Sequence, residues 1–107
     1  MNEMEMIIFE IISNGGTAKG LAYEAIDEAE KGNFDQAETL LKEADEYLVQ
    51  AHQTQTNILH DEANGNHHEV TVLFVHAQDH LMPAMEVRTL ADYIIRMNKR
   101  LHALENK

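Results

Sequence analysis

The sequence predicts an all-α fold, an antiparallel three-helix bundle that self-associates, and three observations carry that expectation. The first is composition: with no Trp and only three Phe and three Tyr in 107 residues, the apolar bulk comes from Ala, Leu, Ile and Met. That mix suits helices better than sheets. The second is punctuation: two short breaks, Lys31-Gly32-Asn33 and Asn64-Gly65-Asn66, divide the chain into three segments, 3–31, 34–63 and 68–105. The third is period, because apolar residues between the breaks recur at three- and four-residue steps.

Segment one is amphipathic but interrupted. Ile7, Ile8 and Ile11 form one patch, and Leu21, Ala22, Ala25, Ile26 and Ala29 form another. Between them Ser13-Asn14-Gly15-Gly16-Thr17 is poor helix material, costing about 1 kcal/mol per Gly relative to Ala. A kink or bulge is expected there. At the first break, Gly32 can end a helix in the left-handed conformation. Asn33 can cap the next helix, with Gln36 reaching back in a variant capping box.

Segment two has the clearest pattern. Phe34, Ala37, Leu41, Ala44, Leu48, Ala51, Gln55 and Ile58 form one seam with a coiled-coil-like period. Gln55 is its one polar member, either a satisfied core amide or an amide facing a functional site. Long helices joined by short connections pack as an antiparallel bundle.

Segment three opens ambiguously, since Val70 to Val75 has strand propensity. One strand would lack a partner, so a helix is expected. Its seam reads Leu73, His76, His80, Pro83, Val87, Leu90, Ile94, Met97, Leu101 and Leu104. Pro83 removes the N–H that would bond the carbonyl of Asp79, at roughly 3 kcal/mol unless the helix bends. A kink is therefore expected beside the histidines. Leu73 to Met85 is apolar nearly all round, which implies packing against a second subunit as well as against its own bundle.

Composition also excludes. The formal charge is −11, and basic patches that neutralise phosphates are missing, so nucleic acid is not an expected partner. No apolar run reaches the roughly 20 residues of a membrane span, and the acidic N-terminus does not resemble a signal peptide. Cysteine is absent, so no disulfide scaffold or thiol nucleophile is available. A single cytoplasmic domain, 1–107, without membrane insertion is the expectation.

His76 and His80 stand at seam positions that the pattern assigns to apolar residues, one turn apart on one face, with Asp79 bordering them. Such a breach of the local rule marks candidate functional residues. Three readings fit the spacing: a satisfied polar cluster, a metal site formed by two imidazoles and a carboxylate, or histidine chemistry with His76 as nucleophile. The other histidines are less informative: His67 and His68 are expected to be exposed in the second break, His52 and His60 to lie at the surface, and His102 to be solvated near the C-terminus.

The run Val75-His76-Ala77-Gln78-Asp79-His80-Leu81-Met82 resembles the signature around the active histidine of lactose/cellobiose-type enzyme IIA components of the sugar phosphotransferase system. Asn14-Gly15-Gly16 followed by Leu21-Ala22-Tyr23-Glu24-Ala25 is similar to that family's first helix, and Gly32 to Glu38 to its first turn. The resemblance implies a homotrimer of three-helix bundles. It implies that His76 accepts a phosphoryl group from phosphorylated HPr and passes it to a cysteine of a cognate IIB, for uptake of a β-linked disaccharide of the lactose, cellobiose or chitobiose class. It further implies that His80 and Gln78 lie near the phosphoryl group. Asp79 from three subunits would bind one divalent cation, Mg2+ being expected, on the threefold axis. A non-catalytic metal-binding helical oligomer is the alternative.

Overall fold

A computed structural model describes residues 2–107; Met1 lies outside it. Three helices follow one another: α1 from Glu3 to Glu30, α2 from Phe34 to Ala63 and α3 from Val72 to Glu105. Asn2 starts α1 by accepting the Glu5 N–H at 2.8 Å, and its amide donates to the Glu5 carboxylate at 3.1 Å. One orphan donor of the first turn is thereby satisfied.

Both breaks end their helices in the same way. Gly32 and Gly65 adopt φ of 85° and 87°. The Gly32 and Asn33 N–H groups return to Ala29 and Glu28, and those of Gly65 and Asn66 to Glu62 and Asp61. This double closure is the Schellman motif, and the left-handed residue it needs is cheapest as glycine. The expected Asn33 cap does not form: its side chain makes no cap bond. Instead its amide donates to the Glu28 carboxylate at 2.8 Å. Asn33 is already committed to closing α1, so the capping box with Gln36 is not made.

The start of α3 also differs from expectation. It lies at Val72, not 68, because Thr71 is extended and its hydroxyl caps the Phe74 N–H at 3.1 Å. Residues 66–71 therefore form a connection, and the β-branched stretch holds an extended cap followed by helix.

Both stretches for which a kink or bulge is expected stay within continuous helix. α1 runs unbroken through Ser13–Thr17 with no bulge, and α3 runs unbroken through Pro83. The reason in α1 is packing. Gly15 is buried, and a Cβ there would sit 3.3 Å from the His80 carbonyl oxygen. The close approach of two helix backbones offsets the poor helix propensity of glycine. Pro83 lies exposed on α3, so its ring meets no neighbouring helix.

α1 is the central helix of the bundle. It packs along both α2 and α3, which touch each other much less. Its buried face is Ile8, Ile11, Gly15, Ala18, Ala22, Ala25 and Ala29. The α2 seam is as the period predicts, with Ala37, Leu41, Ala44, Ala51, Gln55 and Ile58 buried. α3 departs from expectation. Its buried residues are Ala77, Leu81, Ala84, Ala91 and Ile95, one position on from the expected seam. The expected seam faces outward over much of its length, with Leu90, Met97, Leu101 and Leu104 each more than half exposed. Small residues on α1 select the alanine-bearing stripe of α3, because only that stripe lets the helices approach closely.

Candidate functional site

Two layers of core divide the bundle. The layer beneath the histidines contains Ile8, Ile11, Ala51, Ile58, Ala77 and Leu81, so all three helices contribute to the floor of the site. Ala77 and Leu81 are completely buried and hold the turn between them in register. Their neighbours His76 and His80 consequently emerge on the outer side of α3. His76 is exposed and His80 is half-buried.

The two imidazoles meet directly. Nε2 of His80 lies 3.0 Å from Nε2 of His76. Their ring centroids are 4.5 Å apart and the planes are nearly perpendicular at 88°. One nitrogen carries the shared proton and the other presents its lone pair to it. A pair so arranged offers one nucleophilic nitrogen with a hydrogen-bond donor already beside it. The His80 backbone is in turn set by Gly15 of α1, through the contact described above.

Gln78 does not join this pair within one chain. Two residues along a helix turn a side chain by about 200°, so Gln78 leaves α3 on nearly the opposite side. There its Oε1 accepts from Nε2 of Gln55 on α2 at 2.6 Å. Asp79 is exposed and lies on the outward stripe, three residues after His76 and four before Pro83. Among the described residues, no three His, Cys, Asp or Glu side chains of one chain converge as a metal site. Of the four residues singled out from the sequence, the structure thus brings His76 and His80 together and leaves Gln78 and Asp79 on other lines of the same helix.

Two further features were not legible beforehand. Arg88, two turns past His80, makes a two-point ion pair with Asp45 of α2 at 2.6 and 2.9 Å. The Asp45 bond and charge hold the Arg88 guanidinium above its ordinary pKa, against a smaller opposing effect of burial. At the far end, the Asn33 amide holds the Glu28 carboxyl below the usual carboxylate range, with the nearby Lys31 charge assisting. Some of the other histidines also find partners. His68 is half-buried, not exposed, with Nε2 3.0 Å from the Asp61 carboxylate. His102 stacks edge-on to Phe34 at 5.5 Å and covers Gly32, so its ring anchors the end of α3 to the first turn. His52 and His60 are exposed as expected.

Comparison with known proteins places this arrangement. Residues 6–99 match the family model described as PTS system, Lactose/Cellobiose specific IIA subunit. The galactose-specific EIIA component of the PTS system from Lactococcus lactis subsp. cremoris is 46% identical over 101 residues, covering 94% of this chain and 87% of that protein. The crystal structure of the PTS cellobiose-specific enzyme IIA from Bacillus anthracis superposes with a TM-score of 0.93 at 40% identity, over 96% of this chain and 94% of that one. The IIA(Chitobiose) of the Escherichia coli phosphotransferase system, solved in solution in complex with HPr, superposes with a TM-score of 0.82 at 32% identity, over 95% and 99% of the two chains. With a helical bundle of the same shape and a match along nearly its whole length, the chain belongs to the lactose/cellobiose-specific IIA family and is a phosphotransferase-system component.

Proposed function

We propose that this chain carries a phosphoryl group on His76 between phosphorylated HPr and a cysteine of a cognate IIB protein. The observation that carries the proposal is the exposed His76 Nε2 with His80 Nε2 at 3.0 Å. In the tautomer with the proton on His80, the His76 Nε2 lone pair is the nucleophile. It attacks the phosphorus in line with the leaving group of HPr. The N–P bond forms at His76 as the bond to HPr breaks, and that electron pair stays with HPr. His80 Nε2–H then donates to a phosphoryl oxygen instead of to His76, so the donor follows the developing charge. In the second step a cysteine thiolate of IIB attacks the same phosphorus. The S–P bond forms, the N–P bond breaks, and the pair returns to His76 Nε2.

HPr as donor is supported by the relative solved in complex with HPr. The sugar transported is a β-linked disaccharide in this proposal, following the family description. Among the described residues no helix is long and apolar enough to cross a membrane.

The outward stripe of α3 supports a homotrimer. Leu90, Met97, Leu101 and Leu104 follow one another at seven-, four- and three-residue steps, a coiled-coil-like seam exposed on the single chain. Threefold packing about this stripe sets unlike flanks of neighbouring α3 helices against each other. The flank bearing His76 and His80 then faces the neighbour's flank bearing Gln78, which brings that amide to the phosphoryl group from the next subunit. Asp79, on the stripe itself, points to the axis. Three such carboxylates repel one another and supply only oxygen donors, a set that suits a hard divalent cation such as Mg2+. The ion would offset that repulsion at the interface.

The test is phosphoryl uptake. The protein is incubated with phosphoenolpyruvate, enzyme I and HPr, and intact mass is followed under mildly alkaline conditions that preserve phosphohistidine. One phosphoryl group per chain is expected, dependent on HPr and absent in His76→Ala. A folded chain with competent partners that gains no mass would overturn the proposal.

A further inference from the structure

We infer that Gln55 of α2 is a positioning residue for phosphoryl transfer, acting by fixing the orientation of the Gln78 amide. The inference rests on the carrier reading given above. Among the described residues Gln55 is the one polar side chain in the buried core, with 9% of its surface exposed. It lies in an apolar seam between Ala51 and Ile58, where an aliphatic residue would pack without loss. An amide in such a place costs free energy unless it is bonded. Its bond goes across to α3, to Gln78 Oε1 at 2.6 Å.

The chemistry of the amide gives that bond a consequence. A glutamine side chain is two-faced, an acceptor oxygen on one side and two N–H donors on the other. When the oxygen of Gln78 is held by Gln55, its NH2 group is turned to the opposite side. Gln78 is only half-buried, so part of it reaches the surface of the bundle. A phosphoryl group offers acceptor oxygens and no donors that an amide oxygen could use. Only the NH2 face of Gln78 can therefore stabilise it. Left to itself, a half-exposed Gln78 would rotate between two orientations, one favourable and one repulsive. Gln55 removes the repulsive one before the phosphoryl group arrives, which is preorganisation of a hydrogen-bond donor.

The test compares the wild-type chain with Gln55→Met, Gln78→Ala and the double variant. Met keeps the volume and the apolar seam but cannot donate; Gln55→Leu serves as a second variant should Met pack poorly. The readouts are the single-turnover rate of phosphoryl transfer from HPr at saturating concentration, and thermal stability measured separately. Gln55→Met is expected to slow transfer by about tenfold, the equivalent of one lost hydrogen bond to a charged group, with stability unchanged or raised. Added to Gln78→Ala it should cause no further loss, because its effect passes through Gln78. If the wild type takes up phosphoryl and Gln55→Met is equally fast, or loses the same factor without Gln78, Gln55 is core filling and the inference fails. A wild-type chain that takes up no phosphoryl overturns the carrier reading and this inference with it.

Discussion

A Cβ on Gly15 would lie 3.3 Å from the carbonyl oxygen of His80, whereas a Cβ on the adjacent Gly16 would meet nothing within 4 Å. Two neighbouring glycines in one helix thus stand in opposite environments. At Gly16 alanine should gain the helix propensity that glycine lacks, stabilising the fold by about 0.5–1 kcal/mol. At Gly15 the same methyl presses on helix backbone, which cannot rotate away as a side chain would, and overpacking of this kind costs about 1–3 kcal/mol. Gly15→Ala is accordingly expected to be the less stable of the two in urea denaturation, and to transfer phosphoryl more slowly because His80 is displaced. Equal stability of the two variants would show that the α1–α3 contact is looser than the structure has it.

That pair also shows what sequence could and could not disclose. Gly32 and Gly65 were legible as helix ends because the need is local: a left-handed residue followed by polar turn residues. The α2 seam was legible because one apolar stripe runs along that helix. α3 carries two stripes, one rich in alanine and one bulky, and period alone does not say which meets the core. The choice goes with Gly15, Ala18, Ala22, Ala25 and Ala29 on α1, whose small side chains let the stripe carrying Ala77, Ala84 and Ala91 approach closely. Gly15 itself reads as a weak helix residue until its neighbour 65 residues away is known. In the site, the i, i+4 spacing of His76 and His80 foretold their contact. The Gln55–Gln78 bond joins residues 23 apart on different helices and has no local signature.

The first turn carries a pH dependence. The Asn33 amide donates to the Glu28 carboxylate at 2.8 Å and, with Lys31 close by, keeps its folded pKa below the usual value. A carboxyl whose pKa is depressed on folding contributes stability above its unfolded pKa and loses it as pH falls through the folded value. Glu28→Gln should therefore melt below the wild type at neutral pH, with the gap closing as pH falls from about 4.5 through the more acidic folded value. The group lies at the surface and is only half-buried, so the effect is small and screened by salt. Thermal melts of the two proteins at neutral and strongly acidic pH check it, and a gap that does not change with pH would remove Glu28 as its source.

The outward stripe of α3 separates folding from assembly. Leu90 and Met97 are 55% and 58% exposed in the single chain, so the bundle itself does not need them buried. A carboxylate at either position costs little within the bundle but a great deal in a threefold coiled-coil seam, where three copies of it would be desolvated together. Leu90→Asp with Met97→Asp is expected to give a helical, cooperatively melting monomer in analytical ultracentrifugation, against a trimer for the wild type. Phosphoryl uptake should then fall even though His76 and His80 are untouched, since in the proposed trimer it is the neighbouring subunit that would supply Gln78. Asp79 gives the complementary test, because its three carboxylates are expected to meet at the axis. A chelator should loosen the wild-type trimer by exposing their repulsion, and Asp79→Asn should make the trimer indifferent to the chelator. A wild type that sediments as a monomer at every concentration would end the trimer proposal. A trimer unaffected by chelation in both proteins would end the axial cation while leaving the phosphoryl carrier intact.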